Sequence, residues 1–366
     1  MTGRNGPHDD RDGRSFELDI TSMVQIPVKN GPISDIGISP DGSRLFVTNY
    51  GRNSVSVIDT DSCRVLQTVA GLDEPFAIAL SGGDVNRAYV STVSQGSMAY
   101  DSIEVIDVAT HTRIATHQLA HSVSDLTVSA DGKYIYASRN GAHGADVAVV
   151  DTTSGELDVI ELATVPGTTT ECVRISSDGS RLYVGTNGPS GGNLVVIETR
   201  AQSNDGRLRI VGTIELGLPL RDVALSNDGG TAYVASCGPV VGAVLDVIDT
   251  RANKITSTRK IDEVAGPLTR LTLSGDGRHA YLVSDDRITV LSTRTHDAVG
   301  DVRVAKQPSC VVESPDGEYL YIADYSGVVT VAPVASTSAS GIEARLEQRN
   351  SPTEWTVPLG YEAALA

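Results

Sequence analysis

Cysteine is scarce in this chain: Cys63, Cys172, Cys237 and Cys310 stand far apart, with no CxxC spacing among them. That pattern carries neither a disulfide framework nor a thiolate zinc site, and free, mostly buried thiols are the expectation. Positive charge is also short. Lysine and arginine number 29 against 46 aspartates and glutamates, leaving a formal charge of −17. Such a surface repels phosphate backbones and anionic lipid, so neither nucleic-acid binding nor membrane insertion is expected. Long hydrophobic runs are missing too: no stretch approaches the ~20 apolar residues of a membrane-spanning helix. The opening "MTGRNGPHDDRDGRS" lacks the apolar segment of a signal peptide, which points to a cytoplasmic protein. Apolar spacing at i, i+3, i+4 and i+7 is not sustained anywhere for the length of a helix.

What the chain has instead is repetition. "SPDGSRLFV" begins at Ser39, and related phrases begin at Ser81, Ser129, Ser176, Ser226, Ser274 and Ser314, at intervals of 40 to 50 residues. Four-stranded propeller blades have periods in this range. A second phrase follows each first one, among them "VSVIDT", "IEVIDV", "VAVVDT", "LVVIET" and "LDVIDT". A third apolar strand lies beyond it in six repeats, and a short apolar segment such as "SDIGIS" or "RDVALS" precedes each serine. Each unit therefore reads as four short strands separated by Gly, Asp, Asn and Ser turns.

The recurrent Asp-Gly has a physical reason. A tight hairpin between right-twisted strands needs a residue at positive φ, which glycine adopts without steric cost, and the aspartate before it bonds the local backbone. The turns lack the ladder of carboxylates that a calcium loop needs. The seventh repeat supplies only three strands before the Ser/Ala-rich "VASTSASG", while a spare strand, "MVQIPV" (Met23 to Val28), precedes the first. Pairing the two closes the ring. The prediction is an all-β, seven-bladed β-propeller of four-stranded antiparallel blades, closed by the N-terminal strand. Residues 1–15 read as a disordered arm, 16–335 as the propeller domain, and 336–366 as a tail, partly disordered or packed on it. The tail holds the one tryptophan, Trp355, in "EWTVPL". That segment either packs on the body, offers a partner motif, or competes with "MVQIPV" as the closing strand.

The second strand of each unit resembles the Tyr-Val-Thr-Asn (YVTN) family of propeller repeats. "LFVTN" in the first unit is the nearest match, with Phe46 in the tyrosine position; Tyr89, Tyr136, Tyr183, Tyr233, Tyr281 and Tyr321 hold it later. The motif's final asparagine is kept only at Asn49. The resemblance spans roughly residues 20–335 and implies the fold. It leaves the activity open, because such repeats serve surface proteins, domains attached to redox enzymes and binding scaffolds, and a related group of propellers hydrolyses sugar lactones.

Chemistry is expected at the end of the channel lined by the approaches to the first strands and the second-to-third connections. Those connections are long in blades two to five and short in blades six and seven, so a raised wall of loops is expected on one side. Four residues before each serine stand Asp35, Ala77, Asp125, Cys172, Asp222, Arg270 and Cys310; one residue earlier stand Ser34, Phe76, Ser124, Glu171, Arg221, Thr269 and Ser309. The three aspartates form a candidate ring that either faces a cation, though three carboxylates fall short of the six oxygens a hard cation takes, or lines a wet channel.

Arg139, His143, Glu171, Arg221, Asp222 and Arg270 form a candidate ligand-binding patch. Paired arginines hold carboxylates or phosphates, while His143 and Glu171 are types that move protons. A set of surface salt bridges is the plainer reading. No HxH or HExxH occurs, "GPSGG" lacks the strand-to-helix context of a GxSxG elbow, "GGNLVVI" leads into a strand and so is no phosphate loop, and no cofactor is expected. The sequence thus supports a non-catalytic scaffold binding a protein or small ligand at the mouth. The alternative is a lactonase-like hydrolase using Arg139, His143 and Glu171.

Overall fold

The computed structural model describes residues 23–334 apart from 83–85, 94–100, 142–143, 164, 200–207, 265 and 305. The arm 1–15, the tail with Trp355, and His143 lie outside the described residues. Seven sheets of four antiparallel strands make up the structure. The sole helical turn among the described residues is Tyr50–Arg52. In six blades the strands run in chain order from the channel outward. In the seventh, Val24–Pro27 pairs antiparallel with Val328–Pro333 and supplies the outer strand. The expected closure by the early strand is therefore what the chain uses.

Seven buried clusters hold the ring, one at each junction between blades. The tyrosine position explains their regularity. Phe46 packs with Ile78, Ala88 and Val90 of blade 2; Tyr183 packs with Leu220, Val223 and Val234 of blade 5; Tyr321 packs with Ile33, Ile36 and Leu45 of blade 1. Each ring thus fills the junction with the following blade. Burying such a side chain contributes roughly 1.5–3 kcal/mol. Ile26 and Val28, from the closing strand's segment, belong to the last junction.

The repeated polar phrase is a hydrogen-bonded device. In six turns the serine hydroxyl donates to the aspartate two residues on. The same oxygen accepts the backbone N–H five residues on. The aspartate in turn accepts the N–H two residues beyond itself. The glycines of these turns have φ between 66° and 73°, where a side chain would be strained. The threonine ending "VIDT" also has a function: Thr60, Thr152, Thr199, Thr250 and Thr293 donate to the carbonyl of the turn glycine. Serine hydrogen bonds hold Asp41, Asp131, Asp178 and Asp228 below the usual carboxylate range.

Candidate functional site in the channel

Alternation along the inner strands sends successive side chains to opposite faces, and each of these strands carries a register shift at its channel-facing segment. In blade 1 the shift lies between Ile33 and Ile36; in blade 3, between Val123 and Asp125; in blade 5, between Leu220 and Asp222. A bulge of this kind re-aims a side chain. Asp35, Asp125 and Asp222 sit at these bulges, and each reaches the next blade. Asp35 Oδ2 accepts the N–H of Ile78 at 3.0 Å. Asp125 Oδ2 accepts that of Val173 at 3.1 Å, and Asp222 Oδ2 that of Leu271 at 2.9 Å. The three aspartates therefore latch blade 1 to 2, 3 to 4 and 5 to 6.

Two guanidiniums complete the constellation. Arg174, from the inner strand of blade 4 (Thr169–Ile175), bonds Asp125 through Nη1 and Asp222 through Nη2, the latter at 2.6 Å. Arg270, from the inner strand of blade 6 (Leu268–Leu273), lies 3.3 Å from Asp35 and 3.9 Å from Asp125. Five side chains from five blades thus form one network. Asp125 and Asp222 are nearly inaccessible, with side-chain exposures of 4% and 1%. Three carboxylates against two guanidiniums leave one negative charge in excess. Burial pushes Asp35 above its ordinary range, with Arg270 pulling the other way and Asp125 adding to the rise. The carboxylates raise both arginines further above their already high values, so the guanidiniums stay charged.

Cys172 and Cys310 occupy the equivalent positions in blades 4 and 7 and are buried. Burial pushes the Cys310 thiol up to about 12 and raises Cys172 well above the ordinary thiol range. Neither supplies a thiolate nucleophile near neutral pH.

The structure divides the ligand patch expected from the sequence. Asp222 and Arg270 belong to the channel network. Arg139 is buried, its side chain 3% exposed, and is bonded through Nε to Asp146 Oδ1 at 2.7 Å across the adjoining strand. Glu171 is half-buried and accepts a 3.4 Å bond from Thr169 Oγ1, whereas Arg221 is exposed. His121 packs its ring against Gly141. No group of three or more His, Cys, Asp or Glu suited to a metal occurs among the described residues. At the candidate cation ring, guanidinium groups approach all three carboxylates.

Arg174 is absent from the residues expected at the site, yet it joins Asp125 to Asp222 at the centre of the network. A signal existed: it lies two residues beyond the ring position, where the other blades carry Gly37, Ala79, Thr127, Ala224, Thr272 and Val312. One arginine among small and apolar residues, at strand spacing from the aspartate positions, marks a partner for them. The loop wall also takes a different form. The second and third strands of blades 3, 4 and 5 run eight residues each, against six in blades 1, 2, 6 and 7. The long connections of blades 3 to 5 are therefore extended hairpins, paired as far as Gly141 and Gly144, Gly188 and Gly191, and Gly238 and Gly242, whereas most of the blade 2 connection, 94–100, lies outside the described residues. Asn140 and Asn187 brace them: each side-chain amide exchanges two hydrogen bonds with the backbone of a single residue in the next blade, Thr170 and Leu220 respectively.

No helix among the described residues is long and apolar enough to cross a membrane. Compared with known proteins, the chain is 57% identical over 394 aligned positions to the seven-bladed beta-propeller protein Rv1057 of Mycobacterium tuberculosis, covering 100% of this chain and 99% of that protein. Among solved structures, a chain of the Kuenenia stuttgartiensis hydrazine synthase superposes with a TM-score of 0.72 at 24% identity, covering 84% of this chain and 97% of that one. That likeness bears on the fold alone. No family model matches the sequence.

Proposed function

The chain belongs to the seven-bladed β-propeller proteins, and on that premise we propose that it is a non-catalytic scaffold that receives a protein partner or small ligand at the loop-bearing end of its channel. The observation that carries this reading is the mutual commitment of Asp35, Asp125, Asp222, Arg174 and Arg270. Groups that pair with one another and hold neighbouring blades together contribute to rigidity; a general base needs a carboxylate positioned to take a substrate proton. The hydrolase alternative draws on Arg139, which is occupied by Asp146 and buried. The braced hairpins of blades 3 to 5 supply a rigid rim for binding. The recurring tyrosine strand further supports placing these repeats with the YVTN type.

The test has two arms. A panel of sugar and aliphatic lactones incubated with the purified protein should hydrolyse at the rate seen in buffer. Saturable turnover that disappears in Arg221→Ala would end the scaffold reading. In a thermal-shift screen, compounds that stabilise the protein by binding at the rim of blades 3 to 5 should lose their effect in Glu171→Ala or Arg221→Ala. They should keep it in Arg278→Ala, at the opposite end, where the side chain is 75% exposed.

A further inference from the structure

Where blades 1 and 2 meet at the loop-bearing end, an aromatic pair stands beside a carboxylate. Tyr50 lies in the helical turn that connects the second and third strands of blade 1. Phe76 lies on the inner strand of blade 2, Pro75–Leu80. The two rings are 6.5 Å apart at 77°, and they keep 38% and 39% of their surface exposed. The Tyr50 hydroxyl donates to Glu74 Oε2 at 2.9 Å.

Propeller geometry does not require this arrangement. The positions equivalent to Phe76 hold Ser34, Ser124, Glu171, Arg221, Thr269 and Ser309, so six blades form the same strand with a polar residue there. Glu74 has φ 37°, in the left-handed region that a side chain adopts only under constraint. The constraint is visible: Asn53 Oδ1, from blade 1, accepts the Glu74 N–H at 3.1 Å.

We infer that Tyr50, Glu74 and Phe76 form a binding site for an organic cation carrying a methylated ammonium group. The inference rests on the scaffold reading above and names the ligand chemistry for that same mouth. Two steeply inclined rings offer negative π faces to a cation. The Tyr50 hydrogen bond to a carboxylate pushes electron density into the ring and strengthens that face. Glu74 places its carboxylate at the edge of the pair, held there by the Tyr50 hydroxyl. Ring faces cannot replace the hydrogen bonds of a strongly hydrated primary ammonium. A methylated ammonium has few such bonds to lose, and its methyl groups gain apolar contact. The acidic surface, with a formal charge of −17, concentrates cations of any type near the site.

Calorimetric titration of the full chain with tetramethylammonium, choline and the neutral choline isostere 3,3-dimethylbutanol tests this. A short peptide bearing trimethyl-lysine tests whether the same group arrives on a protein. Both small cations should bind saturably, with the neutral isostere at least about tenfold weaker. Phe76→Ser, the residue three other blades carry, and Glu74→Gln should each weaken choline about three- to tenfold, with melting temperature unchanged. Tyr50→Phe should weaken it less, because the ring remains. Tighter binding of the peptide than of choline would place the ligand on a protein; the reverse would place it on a small molecule. No saturable heat from either cation, equal binding of the isostere, or an unaltered Phe76→Ser variant would overturn the inference. Lactone turnover would end the scaffold reading whatever the cations do, whereas absent cation binding without turnover would end this inference alone.

Discussion

The two ends of the ring are built on opposite principles. At the Asp-Gly end, one small hydrogen-bonded device recurs: serine to aspartate, aspartate to backbone, threonine to glycine carbonyl. Each copy is local and closes within about twenty residues of chain, and at Asp41, Asp131, Asp178 and Asp228 the serine bond holds the carboxyl below its usual range. In the channel the equivalent positions change from each blade to the next, through Asp, Ala, Cys and Arg, and their side chains meet only because the ring brings blades 1, 3, 4, 5 and 6 around one axis. Repetition therefore builds the scaffold, and departures from the repeat, such as Arg174, Arg270 and Phe76, supply whatever is particular to this protein. A unit that must fold next to copies of itself tolerates little variation at its turns. The inner strands face a common space, where one unusual residue can be answered by another from a different blade.

That contrast can be broken experimentally, and the largest effect belongs to the channel. Arg174→Met removes the guanidinium between Asp125 and Asp222 and leaves two buried carboxylates without their shared partner. The expected loss is about 3–5 kcal/mol, read as a fall in the denaturant midpoint; a loss no larger than that of a surface substitution would deny the network its structural role. Asp178→Ala, at the other end, removes the acceptor for Ser176 and Ser180. It should cost about 1 kcal/mol, and the other five turns of this type should keep their protection in hydrogen exchange. A collapse of the whole ring from this one change would show that the turns are not independent.

The smallest and most discriminating effect is the pH response of Asp35. Its carboxyl is raised in the folded state, first by burial. The stability it contributes is therefore fully present below its unfolded value and is lost as pH rises through its folded value. Asp41, Asp131, Asp178 and Asp228 behave oppositely, since their lowered values make them stabilising above the unfolded value and lose that contribution as pH falls. Asp35→Asn should accordingly cost far less at pH 7 than Asp125→Asn or Asp222→Asn. Its stability relative to wild type should improve as pH rises from acid towards neutral. Denaturation midpoints measured across pH 3 to 7 check this, and a relative stability that worsens with pH would assign the excess charge to another carboxylate.

Much of the fold was legible in the residues, for identifiable reasons. Seven copies of one phrase fixed the blade count, and the spare "MVQIPV" against a three-stranded last repeat fixed the closure. The candidate site was only half legible. The register of the repeat located Asp35, Asp125, Asp222 and Arg270 as a ring, because equivalent positions in a closed repeat lie at equivalent depths. It could not show that Arg139 turns away to Asp146, because that pairing depends on cross-strand register within blade 3. Arg174 lies two residues beyond the ring position, in the next layer of the channel, where the ring register carries no information about it.

The sequence by itself determined the blades: turn chemistry, alternating apolar strands and the interfacial tyrosines are local patterns, and local patterns are written in neighbouring residues. Only the closed ring decided which charges meet. Asp35 and Arg270 are separated by more than two hundred residues of chain, and no rule of spacing pairs them. They touch because seven sheets wrapped about one axis leave a narrow channel, and charges withdrawn from water there must find one another.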